Sequence, residues 1–218
     1  TINKGKDWKS FEILNLKNGK KCLVKISNKS AKDLNKKQIT CFSREINMMS
    51  RINYPSIPKF FGYILTDFKG KSKPGIIMEF VSKFSLDNIL SEDKDIQDSE
   101  LISKFNDTKK LINIYGIASA MSYLHSHNVI HRGFKLKQIF LDDNLYPKLA
   151  GFNHSIELPR DSFKNSQPYF STARGSKQYL SPEILSRLEY SKSSDVYEFA
   201  IVMCEIMNGE TSFNKTDI

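Results

Sequence analysis

The sequence predicts an α+β molecule in two parts: a small antiparallel sheet carrying one helix, then a mainly helical region. Three observations support that expectation. Two short apolar runs between residues 11 and 27 flank Asn18-Gly19, and this dipeptide favours a tight hairpin because both residues tolerate positive φ. From Asp107 to His127, residues Leu111, Ile114, Tyr115, Ala118, Met121 and Leu124 recur at helical spacing. The chain has 218 residues, 39% of them hydrophobic and 26% charged, enough for one large domain or two small lobes around a true core. Disorder is excluded as a description of the whole.

In order along the chain, Phe11–Leu16 and Cys22–Ile26 form the expected hairpin. Ile39, Phe42, Ile46 and Met49 then step by three and four, which predicts a helix ended by Pro55 and Pro58. Strands follow at Phe60–Leu65 and Ile76–Val81, joined by the turn-rich Asp67–Gly75 segment. Ser85 caps a short helix through Leu90, and 91–107 reads as a charged connector. After the long helix, 129–158 reads as short strands and loops and 159–180 as a polar loop. Ser194–Asn208 is apolar on nearly every side, which predicts a helix in the middle of a domain. The expected boundary divides the chain into 1–81 and 82–218.

Charge and cysteine content narrow the function classes. The 33 Lys and Arg against 24 Asp and Glu leave a net charge of +9, but the basic residues are scattered rather than interleaved with aromatics on one element. A solvated lysine-rich surface is expected, with no nucleic-acid partner. The three cysteines, Cys22, Cys41 and Cys204, fit neither a disulfide framework nor a zinc pattern and suit a reducing, cytoplasmic setting. No apolar run approaches the ~20 residues of a membrane span. The first residue is Thr1, and no charged-then-apolar leader follows it.

Several short motifs occur in a recognisable order. Cys22-Leu23-Val24-Lys25 is followed by Glu45 in the next helix; His131-Arg132-Gly133-Phe134-Lys135 is followed by Gln138, then Gly151-Phe152-Asn153, Ser181-Pro182-Glu183 and Ser194-Asp195-Val196-Tyr197-Glu198-Phe199-Ala200. This series resembles the eukaryotic protein kinases, where the corresponding motifs are Val-Ala-Ile-Lys, His-Arg-Asp-Leu-Lys, Asp-Phe-Gly, Ala-Pro-Glu and Ser-Asp-Val-Tyr-Ser-Phe-Gly. The last version is typical of the tyrosine-kinase-like and tyrosine-kinase branches. The resemblance implies a two-lobed protein-kinase-like fold with 1–81 as the upper lobe and 82–218 as part of the lower one.

The same resemblance shows what is missing. Kinases hold magnesium with the Asp of Asp-Phe-Gly and the catalytic-loop Asn, and orient the acceptor hydroxyl with the His-Arg-Asp carboxylate. Those positions are Gly151, Gln138 and Gly133, so no catalytic residue is intact and no metal ligand is expected. Asp142 and Asp143 are read as a turn between strands, facing away from the cleft. The phosphate-cradling loop would fall at 3–11, where only Gly5 matches, Asp7 adds a carboxylate, and Trp8 and Lys9 deny the close backbone approach that glycines permit. Phe11, Leu23 and Phe140 stand where the family has smaller residues around adenine. They are expected to meet across the cleft and fill that space.

Other positions retain a family role. Lys25 and Glu45 would pair and, with hinge residues Glu79 and Val81, would bind nucleotide if any binds. His131 and Phe152 would stack with Met49 as a spine between the lobes, and Asp195 would fasten the His-Arg backbone. Arg132 could receive a phosphate from Ser162, Ser166, Tyr169, Ser171 or Thr172, although a plain polar loop is the reading these residues favour. Lys135 is expected at the surface, and Glu183 would pair with an Arg from helices beyond Ile218. The chain is expected to be truncated there, or else covered by a partner.

The expected function is therefore that of a pseudokinase, a scaffold or allosteric partner in signalling with no cofactor, bound to a protein that could itself be an active kinase. One alternative is a divergent ATP- and magnesium-dependent kinase, leaning to Ser/Thr through Gly175-Ser176. Another is a non-functional remnant.

Overall fold

The computed structural model describes residues 3–4, 7–14, 19–81, 84–91, 103–158, 169–170 and 176–209. Its first half is a five-stranded antiparallel sheet of β1 (Asn3–Lys4), β2 (Trp8–Leu14), β3 (Lys21–Ser27), β4 (Phe60–Ile64) and β5 (Gly75–Glu79), in spatial order β1-β2-β3-β5-β4. The β2–β3 hairpin forms as expected, with Leu14 opposite Lys21 and Gly19 at φ 67°. Asn18 lies outside the described residues. Helix α1 (Lys36–Met49) starts in a capping box, where Asn35 accepts from the Gln38 amide and Gln38 returns the bond to the Asn35 amide. It stops before Pro55, the expected breaker, with Ser50 as its last cap.

The second half is mainly helical. Ser85 and Asn88 cap the short α2 (Leu86–Leu90). In α3 (Asp107–Ser126), Ile117, Ala120 and Leu124 are fully buried, but Leu111 and Tyr115 of the expected apolar side are exposed. Short antiparallel pairs follow: β6 (Val129–Ile130) with β9 (Ile156–Glu157), and β7 (Ile139–Leu141) with β8 (Pro147–Leu149). Farther on lie β10 (Tyr169–Phe170), α4 (Pro182–Arg187), β11 (Glu189–Tyr190) and α5 (Lys192–Asn208). One apolar core joins the two halves: Met49, Ile76 and Met78 from the sheet side cluster with Leu136, Leu149 and Phe152 below. Burial of that many apolar side chains supplies the main cohesion between the parts.

Helix α5 departs from the expectation of an apolar rod. Val196, Tyr197, Met203 and Met207 are exposed, whereas Asp195, Glu198 and Glu205 are buried. Each buried carboxylate has a donor. Glu198 accepts from the Phe134 amide at 2.8 Å, Glu205 from the Tyr179 hydroxyl at 2.9 and 3.1 Å, and Asp195 from the backbone discussed below. Buried polar groups are retained where hydrogen bonds replace water, and composition alone does not reveal those partners.

Candidate functional site

The candidate site lies between β3, α1 and the segments 131–138 and 150–154. Side chains alternate across a strand, so Leu23 and Lys25 share one face of β3. Lys25 Nζ lies 2.9 and 2.8 Å from the two carboxylate oxygens of Glu45, which is 4% exposed. The ion pair ties the sheet to α1. Trp8 covers it: its ring stacks on Phe42 of α1 at 5.3 Å and 14°, and Lys25 Nζ sits 5.4 Å from its centre. Beside it, Gln38 Nε2 donates to Asp7 Oδ1 at 2.7 Å, so residues 7 and 8 are both fastened to α1. Gly5 lies outside the described residues.

The lower wall is built on Asp195 at the start of α5. Its two oxygens accept the amides of His131 at 2.8 Å and Arg132 at 2.9 Å, and His125 Nε2 lies 2.9 Å from Oδ2. This bonding holds Arg132 at φ 60°, an uncommon conformation for a non-glycine residue. Buried His131 sets Nε2 3.0 Å from the Ala150 carbonyl and stacks edge-on against Phe152 at 5.1 Å. Burial pushes its pKa down, overriding Asp195 and the Ala150 bond, which push it up. The imidazole is neutral and donates from Nε2. Arg132 is 1% exposed; its Nε donates to the His154 carbonyl at 2.8 Å and its guanidinium lies 4.8 Å over Tyr190. The proposed phosphate acceptors Ser162, Ser166, Ser171 and Thr172, and the Tyr169 side chain, lie outside the described residues, as does Gly175.

Gln138 and Gly151 meet at the centre of the site. The Ala150 amide donates to the Gln138 carbonyl at 2.8 Å, which brings the two segments together. Gly151 has φ 92°, and a Cβ placed on it would lie inside contact distance of Gln138 Oε1 and 2.6 Å from its Cδ. The Gln138 amide therefore occupies the space into which a side chain at 151 would project. Gly133 is different, because a Cβ there would meet only His131 ring atoms, at 3.9 and 4.0 Å. Among the described residues, no group of three or more His, Cys, Asp or Glu side chains is placed to hold a metal ion. Asp142 is occupied in the β7–β8 turn, where Oδ1 accepts from the Asn144 and Tyr146 amides, both at 2.9 Å.

Two expectations for the site need correction. Phe11, Leu23 and Phe140 do not converge. The register pairs Phe11 with Val24, which puts it on the sheet face opposite Leu23 and Lys25, where its ring meets Phe68 at 5.5 Å. The residue opposite Leu23 is Glu12, whose carboxylate pairs with Lys21 at 2.8 Å. Phe140 sits across from Lys148 on the β7–β8 pair. The one-residue offset was invisible without the pairing, and in a strand one residue reverses the face. Lys135 is half-buried rather than on the surface, and burial lowers its pKa, with Lys137 adding to the effect. Glu183 receives the Ser194 hydroxyl at 3.2 Å.

At the edge of the cleft, Glu79 binds both halves. Its carboxylate accepts Lys148 Nζ at 2.8 and 3.0 Å and the Lys59 amide at 2.9 Å. Val81 lines the adjoining groove behind it. Sequence reading missed Lys148, Glu198 and Glu205. Nothing in their local spacing marks them, since each partner comes from a distant segment.

Comparison with known proteins decides the family. The family model of the protein kinase domain matches residues 1–218. The chain belongs to the protein kinase domain family. Within it, the chain is 28% identical over 216 residues to an Aurora kinase of Saccharomyces cerevisiae, covering 98% of this chain and 53% of that protein. It is 26% identical over 199 residues to the serine/threonine-protein kinase nekl-2 of Caenorhabditis elegans, covering 91% and 52%. This kinase domain thus spans about half the length of those relatives. The solved structure of the yeast RNA Pol II CTD kinase CTDK-1 complex superposes with a TM-score of 0.76 at 18% identity, covering all of this chain and 64% of that one, a likeness of fold. The protein-kinase-like fold, with a sheet-bearing upper lobe and a helical lower lobe, is the architecture of this chain. Among the described residues, no helix is long and apolar enough to cross a membrane.

Proposed function

We propose that this kinase domain is a pseudokinase that acts by binding a protein partner rather than by transferring phosphate. The observation that carries this reading is the Gln138–Gly151 contact. The position from which the family presents its metal-holding carboxylate is a glycine, and the Gln138 amide fills the space a replacement would need. Magnesium dehydrates reluctantly and is held through anionic oxygen, which Gly133, Gln138 and Gly151 do not supply. Trp8, stacked on Phe42 over the Lys25–Glu45 pair, further obstructs the approach of a triphosphate. The residues present do not fit a magnesium–nucleotide complex.

What is left is a molecule braced for recognition. The Lys25–Glu45 bridge, the Asp195 cradle and the Glu79–Lys148 tie hold α1 and the lobes in one arrangement, a fixed surface on which a partner can dock. The partner is a protein, with an active kinase as the leading class, in the cytoplasm. The Ser194–Ala200 opening of α5 favours the tyrosine-kinase-like branch.

The intact Lys25–Glu45 pair, together with a relative named as a serine/threonine-protein kinase, favours one rival: a divergent, weakly active Ser/Thr kinase. A thermal-shift titration with ATP, with and without magnesium, alongside an autophosphorylation assay, separates the two. The pseudokinase reading expects no magnesium-dependent stabilisation and no incorporation of phosphate. Phosphate transfer that disappears in Lys25→Met would establish the rival.

A further inference from the structure

The outer face of the sheet, opposite Lys25, holds a groove of about 430 Å³. Its floor is apolar: Phe11, Ile26 and Phe68, with Phe68 60% exposed and set edge-on to Phe11 at 86°. Its rim carries Lys9, Lys69, Lys71 and Lys73. Among the described residues none of these four ammonium groups enters an ion pair. The one carboxylate present, Asp67, is turned into its own loop, where Oδ1 accepts the amides of Lys69 at 2.9 Å and Lys71 at 3.0 Å. The loop is closed further by Asp67 N to the Lys71 carbonyl at 2.8 Å and Gly70 N to the Asp67 carbonyl at 3.0 Å, with Gly70 at φ 71°.

These bonds matter for binding, because the loop displays Phe68, Lys69 and Lys71 in a set arrangement and less ordering is needed when a ligand arrives. An exposed aromatic floor ringed by four lysines against a single carboxylate is complementary to one kind of ligand, an apolar side chain flanked by carboxylates. We propose that this groove is a docking site for an acidic linear segment of a partner protein, anchored by one aromatic residue packed on the exposed side of Phe68 next to Phe11 and steered by the lysine rim. The lysines alone would describe an ordinary solvated surface. The apolar floor and the excess of four lysines over the single Asp67 distinguish this patch from one. The site is remote from Gln138 and Gly151, so it stands whether or not the cleft transfers phosphate.

The test uses the whole chain and a fluorescein-labelled peptide with one Phe between runs of Asp and Glu, read by anisotropy. Saturable binding is expected, weakened roughly tenfold by raising salt from about 50 to 300 mM, because the contacts are exposed and screened. Lys69→Glu/Lys71→Glu is expected to weaken it at least ~tenfold, and Phe68→Ser or a Phe→Ser peptide several-fold. All these variants change exposed positions, and unchanged thermal melts confirm that they fold. Absence of saturable binding, or variants that bind the peptide like the parent, would overturn the proposal. So would equal affinity, with the same dependence on Lys69 and Lys71, for a short RNA or for anionic vesicles, since the groove would then be a general polyanion surface.

Discussion

The side chain of Gln138 occupies the space beside Gly151 into which any Cβ at that position would project, ending 2.6 Å from Cδ and 3.0 Å from Cγ of the glutamine. The two departures from the family pattern are therefore coupled. A side chain restored at 151 alone requires the end of the Gln138 side chain to move, and the φ of 92° at Gly151 adds strain for any side chain.

Gly151→Asp is accordingly expected to destabilise the fold by about 1 kcal/mol in urea denaturation, from backbone strain at 151 plus displacement of the end of the Gln138 side chain. Gly151→Asp/Gln138→Asn should recover most of the displacement share, because the shorter amide withdraws from the contested space. Gly133→Asp, with its Cβ at ordinary contact distance from His131, should stay within roughly 0.5 kcal/mol of the parent. Additive losses in the double variant would refute the coupling.

The Lys25–Glu45 pair is expected to act on stability. Lys25→Met leaves Glu45 nearly fully buried and without its cation, at a cost of about 2 kcal/mol after allowing for the partial exposure of Lys25. Lys25→Met/Glu45→Gln should regain part of that loss, and chemical denaturation of the two single variants and the double measures it. If Lys25→Met melts like the parent, the bridge is not structural.

Asp195 should be among the most sensitive positions. Asp195→Ala strands the buried amides of His131 and Arg132, and each orphaned donor costs about 1–3 kcal/mol. A loss of several kcal/mol is expected by denaturation, together with faster hydrogen exchange of those two amides. Unchanged exchange at His131 and Arg132 would show that the cradle is dispensable.

Glu198 gives a pH signature. Burial, reinforced by the neighbouring Asp195, pushes its pKa up to about 8 from an ordinary 4.5. The folded state then holds this proton more tightly than the unfolded one, so the contribution to stability is complete below the unfolded pKa. It falls away as pH rises towards 8, where Glu198 must ionise inside the protein. Melting temperatures from pH 5 to 9 should therefore decline less steeply in Glu198→Gln than in the parent. Parallel profiles would contradict the assignment.

Much of the architecture was legible in the chain because it is locally encoded. The apolar steps that mark α1 and the short hairpin are set by residues a few positions apart, whereas the buried side of α3 is not: Leu111 and Tyr115 are exposed, and Asn113, Gly116 and Ile117 are buried instead. The ordered motifs from Lys25 to Asp195 placed the cleft and its missing carboxylates. Phe11 illustrates the limit. Its distance from Leu23 along the chain says nothing of register, and a shift of one residue moves it to the other face.

By itself, then, the sequence determined the family, the order of elements and the loss of acidic groups at Gly133, Gln138 and Gly151, since these depend on residue identity and local periodicity. Only the tertiary structure decided that Gln138 fills the space beside Gly151, that Trp8 lies over Lys25, and that Glu198 and Glu205 are buried with donors. Those facts join segments far apart in the chain, and side-chain burial and hydrogen-bond partnership exist only once packing has brought such segments together.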